Sequence, residues 1–224
     1  MRKLLILVEG QTEETFVNRL LQPHLFQHKL VAQPKLVTTK RPPGMPHHKG
    51  GISIYGKIEG DLRRLLNDAS AALVTTIIDF YGLPKDFPGM PVSPGNCYER
   101  VKQLEREFSH SIANPRFLPY LSLHEFEAML FVSPEKITEV ISKPELLASL
   151  QQIKSQFNSP EEIDDGPTTA PSKRVLKLHP QYRKTADGIA ILEKIGIDQI
   201  CRQCPHFNEW IERLEMIGED VPQP

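Results

Sequence analysis

Acidic residues stand at the ends of three apolar segments of this sequence. They are Glu9 after residues 4–8, Asp79 after residues 73–78, and Glu125 and Glu127 after residues 117–123. Carboxylates that converge on one place repel one another unless a cation or a shared proton compensates their charge. Hard oxygen ligands favour magnesium or manganese over zinc and leave coordination positions for water and a substrate phosphate. The acids therefore predict a Mg²⁺ or Mn²⁺ site for phosphate chemistry.

The elements that would bring these acids together are the strands of a parallel sheet. Residues 4–8 and 73–78 are unbroken apolar or β-branched runs, which is typical of strands that are buried on both faces. Weaker strands fit residues 36–40 and 117–123. In such a sheet, ligands bind outside the carboxyl ends of the strands, near the point where the strand order reverses. A strand order of 2-1-3-4 would place the first two acids on adjacent strands at that point.

Helices alternate with these strands in the predicted α/β fold. They begin near Thr12, a candidate N-cap, and continue over residues 58–66, 98–108, 124–131, 135–141, 145–157 and 207–216. The alternation predicts a four-stranded, doubly wound parallel sheet with right-handed crossovers. From about residue 133 the predicted elements are short helices. We therefore predict an α/β domain over residues 1–132 and a helical C-terminal cap, packed on it, over residues 133–224.

The overall composition is that of an ordinary globular protein, with 39% hydrophobic and 25% charged residues. The net charge of −1 means that any surface for nucleic acid must be local. Only five apolar residues precede Glu9, too few for a signal-peptide core, and no apolar run approaches the length of a membrane span. We expect a cytoplasmic protein with no membrane contact.

The cysteines do not indicate a disulfide framework, because there are three of them in a chain of 224 residues. Cys201 and Cys204 have the spacing of half a zinc site, and His206 could add one ligand. Two packed thiols in a helical region are the favoured interpretation. His206 and Trp210 are likewise interpreted as packing residues of the last helix.

Several further residues are candidates for contacting a substrate. His48 lies in a Gly- and Pro-rich basic loop, residues 41–51, which fits a phosphate contact and a disordered loop equally well. Asp86 stands in a Pro-rich loop whose stiffness would fix its position. Lys173 and Lys184 lie in the cap and could face the charge that develops on a scissile phosphate, if the cap folds over the sheet edge. Ordinary solvated lysines are the alternative.

The choice among the later acids depends on the local backbone. Glu125 and Glu127 would share a face in a strand but diverge by about 200° on a helix. At a strand-to-helix junction one of them could enter the site, and we favour Glu125. Glu13 could be a further carboxylate of the site, although a favourable charge in the first turn of a helix also explains it.

The sequence also resembles a known family. Residues 8–13, Val-Glu-Gly-Gln-Thr-Glu, follow a first strand, and a later strand ends in Asp79, as in the Toprim domain of topoisomerases, bacterial primases and OLD-type nucleases. More closely, the chain resembles Toprim-like proteins that are grouped as a domain of unknown function and are often encoded beside an ATPase. The matching stretches are residues 7–16, 79–89, 121–131, 166–173 and 204–210.

The resemblance implies roles for particular residues. Glu9 matches the family glutamate that acts as general acid or base in phosphodiester chemistry, and Asp79 matches the first aspartate of an Asp-x-Asp metal motif. Tyr81 stands where the second aspartate would be, and a neutral phenol is a poor magnesium ligand. A different acid would then supply the missing ligand, or the metal affinity is low. The candidates are Glu125, Glu127 and Asp86.

The leading hypothesis is a magnesium-dependent nuclease with a Toprim-like sheet, acting on DNA or RNA. Asp79 and one later glutamate would hold the metal, and Glu9 would move the proton. By resemblance, the protein would serve in phage defence or mobile-element biology with a partner ATPase. Two alternatives stay open. One is a non-catalytic Toprim-like module that binds an ATPase or nucleic acid, which Tyr81 supports; the other is a phosphohydrolase or nucleotide-binding enzyme. The oligomeric state also stays open.

Overall fold

The computed structural model describes residues 1–38, 52, 54–123, 125–163 and 169–219. Its centre is a parallel sheet whose strands are β1 (Arg2–Val8), β2 (Leu30–Leu36), β3 (Ala71–Asp79), β4 (Phe117–Leu118) and β5 (Leu121–Ser122). The order is β2-β1-β3-β4, and β5 pairs with β3 beyond β4. The structure confirms the predicted α/β class, the parallel pairing and the 2-1-3-4 order.

The second strand differs from the prediction. β2 spans Leu30–Leu36, so the predicted strand over residues 36–40 was wrong, and its last two residues lie outside the described residues. β2 is an edge strand, and Gln33, Pro34 and Lys35 interrupt its apolar pattern. Proline is tolerated at an edge because its missing N–H faces away from the sheet. The predicted fourth strand also divides into β4 and β5, on either side of Pro119.

The helices of the described residues surround this sheet. They are α1 (Gln11–Phe16), α2 (Gln22–Gln27), α3 (Tyr55–Leu66), α4 (Cys97–Ile112), α5 (Pro134–Ile141), α6 (Leu147–Lys154), α7 (Pro171–Leu178), α8 (Ile189–Ile195), α9 (Ile197–Gln203) and α10 (Pro205–Glu219). A π-helical segment, Val17–Leu21, joins α1 to α2, and another, Lys184–Gly188, precedes α8. Within these ranges no helix is both long and apolar enough to cross a membrane.

Several predicted helix boundaries are corrected. Thr12 is not the N-cap of α1, because Gly10 holds that position and Thr12 is buried inside the first turn. The helix predicted over residues 124–131 is a 3-10 helix, Phe126–Val132. α7 was not predicted from the sequence, and it begins at Pro171. α8 and α9 were not predicted.

The hydrophobic core lies on both faces of the sheet. Along β1, Leu4, Ile6 and Val8 face one cluster of buried side chains, and Leu5 and Leu7 face the other. The first face is covered by α1, α2 and the C-terminal helices, and the second by α3 and α4. Each such side chain contributes about 1.5–3 kcal/mol by leaving water. The C-terminal helices therefore share one core with the sheet.

Candidate functional site

Two adjacent strands bring Glu9 and Asp79 to the same edge of the sheet. β1 and β3 are parallel, and Val8 is in register with Ile77. The residue after β1 and the last residue of β3 therefore leave the sheet side by side. A carboxylate oxygen of Glu9 accepts a hydrogen bond from the backbone N–H of Asp79. The two acids that the sequence placed together are neighbours in the structure.

Lys184 lies among the acids at this edge of the sheet. Its Nζ lies 3.2 Å from Glu127 Oε2, 3.4 Å from Glu13 Oε1 and 3.7 Å from Asp79 Oδ2. We call these four residues and Glu9 the acidic cluster. The next residue, Thr185, shares a 2.9 Å hydrogen bond between its Oγ1 and that of Thr12, which ties this part of the chain to α1.

The acidic cluster is largely shielded from water. The side chains of Glu127 and Glu13 are 2% and 6% exposed, and that of Asp79 is 16% exposed. Lys184 is 37% exposed, so the cluster meets solvent on the lysine side. A charged ligand could approach from there.

Burial in this cluster favours the protonated forms of its acids. Desolvation raises the pKa of Asp79 well above its ordinary value; attraction to Lys184 opposes the rise, and repulsion by Glu13 adds to it. Desolvation likewise raises the pKa values of Glu127 and Glu9. For Lys184, desolvation works against the ammonium, but the surrounding carboxylates together outweigh it and the pKa is raised. Four acids facing one lysine need protons or a further cation to compensate their charge.

Two buried carboxylate oxygens of the cluster are unpaired. Glu9 Oε2 and Asp79 Oδ1 are buried and have no hydrogen-bond partner among the described residues. Buried polar atoms are nearly always paired, so unpaired ones need an explanation. The acids of the cluster offer only carboxylate oxygens, which are the ligands that Mg²⁺ and Mn²⁺ prefer. Among the described residues, no three acids of the cluster bring oxygen atoms within 4.8 Å of one another, so an ion bound by Asp79, Glu127 and Glu13 would require these side chains to move closer together.

Comparison with known families places the chain. A family model described as a domain of unknown function (DUF4276) matches residues 8–215. The chain belongs to this family. The match includes every residue of the acidic cluster. No curated protein and no solved structure matches the chain significantly, and nothing in these comparisons connects it to the Toprim domain or to OLD-type nucleases.

The two later acids of this DUF4276 chain have different surroundings. Glu127, in the 3-10 helix, meets Lys184, whereas Glu125 Oε2 accepts a 2.9 Å hydrogen bond from the backbone N–H of Ser172, in the first turn of α7. The preference for Glu125 over Glu127 in the sequence is therefore not supported by the contacts. Glu125 fixes the start of α7, and the exposed Lys173 follows it there.

The other residues considered as candidates in this DUF4276 chain have contacts or surroundings of their own. Asp86 Oδ1 accepts a 3.0 Å hydrogen bond from the backbone N–H of Tyr55, so it holds the first residue of α3. Tyr81 is 52% exposed, in the 3-10 helix that follows β3. His48 lies outside the described residues. Cys204 and His206 are buried, as predicted for packing residues, and His206 stacks on Tyr120 with ring centroids 5.2 Å apart.

Glu13 and Tyr182 are two residues of this region whose positions the sequence did not settle. The sequence left Glu13 open between a carboxylate of the site and a favourable charge in the first turn of α1, and its burial and its distance to Lys184 place it in the cluster. The signal was its spacing, because it follows Glu9 by four residues across a single turn. Tyr182 is buried beside the cluster, and its hydroxyl has no hydrogen-bond partner among the described residues. Desolvation and then the charge of Glu127 raise its pKa.

Proposed function

We propose that the acidic cluster binds Mg²⁺ or Mn²⁺ and that the protein is a Toprim-type nuclease, hydrolysing phosphodiester bonds in DNA or RNA. The observation that carries this proposal is the convergence of four acids on the carboxyl edge of the sheet around a single lysine. Ligand sites of open parallel sheets lie at this edge. Stability alone does not explain so many buried carboxylates, because a buried ion pair often adds no net free energy to the stability of a fold.

The proposed metal ligands are Asp79, Glu127 and Glu13. A bound divalent ion would supply positive charge to the phosphate oxygens and acidity to a bound water. Lys184 compensates part of the negative charge of these acids in the protein alone. Its long side chain reaches solvent, so its ammonium can turn toward a phosphate that enters from that side.

Glu9 is the proposed proton carrier. In hydrolysis, a water oxygen forms a new bond to phosphorus while the ester P–O bond breaks; one proton leaves the water and one reaches the departing oxygen. A group that exchanges protons near neutral pH needs a pKa near that range. Burial raises the pKa of Glu9 and so brings it closer to the neutral range. The unpaired Oε2 of Glu9 is available for the exchange.

The nucleic acid would contact basic residues near this edge. Lys173 is exposed on α7, one residue beyond the Ser172 N–H that binds Glu125. Because the net charge is −1, the affinity of the chain alone would be modest. We propose that a partner ATPase assists binding, in phage defence or mobile-element biology.

A cleavage assay tests the proposed activity. Single- and double-stranded DNA and RNA are incubated with the protein in Mg²⁺, Mn²⁺ or EDTA, and the variants are Glu9→Gln, Asp79→Asn and Glu13→Gln. Glu14→Gln is the matched control, because it changes the neighbouring acid of the same helix. We expect metal-dependent cleavage that the first three variants lose and the control keeps.

Two results would contradict the proposal. Cleavage that survives both Glu9→Gln and Asp79→Asn would remove the catalytic assignment of the cluster. No cleavage with any metal, substrate or added ATPase would favour a non-catalytic binding module instead.

A further inference from the structure

A second group of potential metal ligands lies away from the acidic cluster, between α2 and α10. His24 lies in α2, His28 follows the end of α2, and Glu215 lies in α10. His24 Nε2 is 2.6 Å and His28 Nε2 is 3.5 Å from the same oxygen, Glu215 Oε1. One atom from each of the three residues falls within 4.8 Å of the others.

The fold itself brings these three residues together. Histidines four residues apart lie on one face of a helix. α10 packs closely against the end of α2, since a Cβ atom at Gly218 would overlap the carbonyl oxygen of His28. Arg2 Nη1 also donates a 2.7 Å hydrogen bond to the carbonyl of Ile217. The glycine and the backbone contacts hold Glu215 opposite the histidines.

The second nitrogen of each histidine faces a further carboxylate. His24 Nδ1 is 3.9 Å from Asp198 Oδ1, and His28 Nδ1 is 3.7 Å from Glu219 Oε1. Histidines that bind metals typically donate their other ring N–H to a carboxylate, which fixes the tautomer with the free nitrogen toward the metal. Asp198 and Glu219 are largely exposed and lie beyond hydrogen-bond distance, so they would take this role only by moving closer. A simple His24–Glu215 hydrogen bond does not explain why the second imidazole also converges on Glu215.

We propose that His24, His28 and Glu215 form a site for a transition-metal ion of the Zn²⁺ class. Two imidazoles and one carboxylate suit Zn²⁺, whereas the all-carboxylate cluster suits Mg²⁺. A tetrahedral zinc ion with bonds of about 2.0 Å holds its ligand atoms about 3.3 Å apart, so His24 and Glu215 need to separate by less than about 1 Å.

The site is accessible yet not fully exposed. The side chains of His24, His28 and Glu215 are 18%, 27% and 24% exposed. A surface cavity of about 440 Å³ adjoins it, lined by His24, Asp198 and Arg202 among others. Water from this side would complete the coordination. Because the ligands come from α2, the residue after it and α10, the ion would join an N-terminal helix to the last helix and stabilise the folded chain.

Thermal unfolding in Zn²⁺ tests the site. EDTA-treated protein is titrated with Zn²⁺ alone and, separately, with Mg²⁺ alone. We expect one zinc ion per chain and, at a free concentration 100-fold above the dissociation constant, a rise in melting temperature of about 5–10 °C. His24→Ala, His28→Ala and Glu215→Gln should each weaken zinc binding about tenfold or more. His110→Ala, which changes an exposed histidine on α4, should leave it unchanged.

Three controls separate this site from other zinc ligands in the chain. Cys201→Ser should keep the zinc response, and Co²⁺ in place of Zn²⁺ should give a visible spectrum without the intense thiolate charge-transfer band. Asp79→Asn, in the acidic cluster, should also keep the response. The cobalt spectrum is recorded on the unaltered protein, so it stays informative if a histidine variant folds poorly. The proposal is overturned if zinc leaves the melting temperature unchanged, if the histidine variants bind zinc as before, or if the cobalt spectrum shows thiolate ligation.

Discussion

Replacing Lys184 by methionine removes the one cation of the acidic cluster among the described residues. Methionine keeps much of the side-chain volume but removes the ammonium that lies 3.2 Å from Glu127 and 3.7 Å from Asp79. Removing one partner of a buried ion pair costs about 3–5 kcal/mol. Because the Lys184 side chain is 37% exposed, solvent screening reduces this cost, and we expect a loss of about 2 kcal/mol in the free energy of unfolding near neutral pH.

The loss should be smaller in acid. Because the pKa values of Asp79 and Glu127 are raised in the folded protein, the folded state binds more protons than the unfolded chain above the ordinary carboxyl range. Stability therefore falls as the pH rises through that window. Lys184 lowers both pKa values, so its removal widens the window. The raised pKa of Lys184 itself means that its contribution is fully present below its ordinary value of 10.5.

Urea unfolding in EDTA at about pH 5 and about pH 7.5 measures both effects. Lys184→Arg keeps the charge and should retain most of the stability, and Lys173→Met, at an exposed position of α7, should change the free energy by less than about 0.5 kcal/mol. Added Mg²⁺ should restore more stability to Lys184→Met than to the unaltered protein. A Lys184→Met protein with unchanged stability at both pH values, or with an equal loss at both, would refute this account of the cluster.

Three further predictions concern separate contacts. Glu13→Gln should weaken Mg²⁺ binding about tenfold in isothermal titration calorimetry and Glu14→Gln should not; equal affinities would remove Glu13 from the site. Trp210→Phe should lose about 1–2 kcal/mol in urea unfolding, because its buried Nε1–H donates a 2.9 Å hydrogen bond to Thr75 Oγ1; a neutral result would show that this bond adds no net stability. The Cys204 thiol is buried and desolvation raises its pKa, so a thiol reagent should modify it only after unfolding, and rapid labelling of the native protein would contradict its place in the core.

The central strands and their acids could be predicted because one physical signal dominates them. β1 and β3 are buried on both faces, so their residues form continuous apolar runs, and Glu9 and Asp79 mark where those runs end. β2 lacks this signal, because it is an edge strand whose second half is partly exposed. A strand that is solvated on one side can carry Gln33 and Pro34, and its pattern then resembles a loop.

The completion of the cluster could not be read from local sequence. Lys184 was one of two candidate lysines, and its position depends on contacts such as that between Thr185 and Thr12, which are 173 residues apart. The roles of Glu125 and Glu127 depend on whether the chain leaves the sheet as an α-helix or as a 3-10 helix. Local propensity does not settle that choice, because the packing of α7 against this segment contributes to it.

The shared core has a consequence for how the protein is made. The face of β1 that carries Leu4, Ile6 and Val8 packs against side chains as distant as Leu214. On the ribosome, α1 and α2 can cover part of this face soon after β1 emerges, but the rest of it stays uncovered until the C-terminal helices follow. Lys184 is also synthesised after all four acids of the cluster. Until it emerges, the negative charges of these acids repel one another without a compensating cation. Nascent chains that stop before Lys184 should consequently depend on chaperones and carry no assembled site.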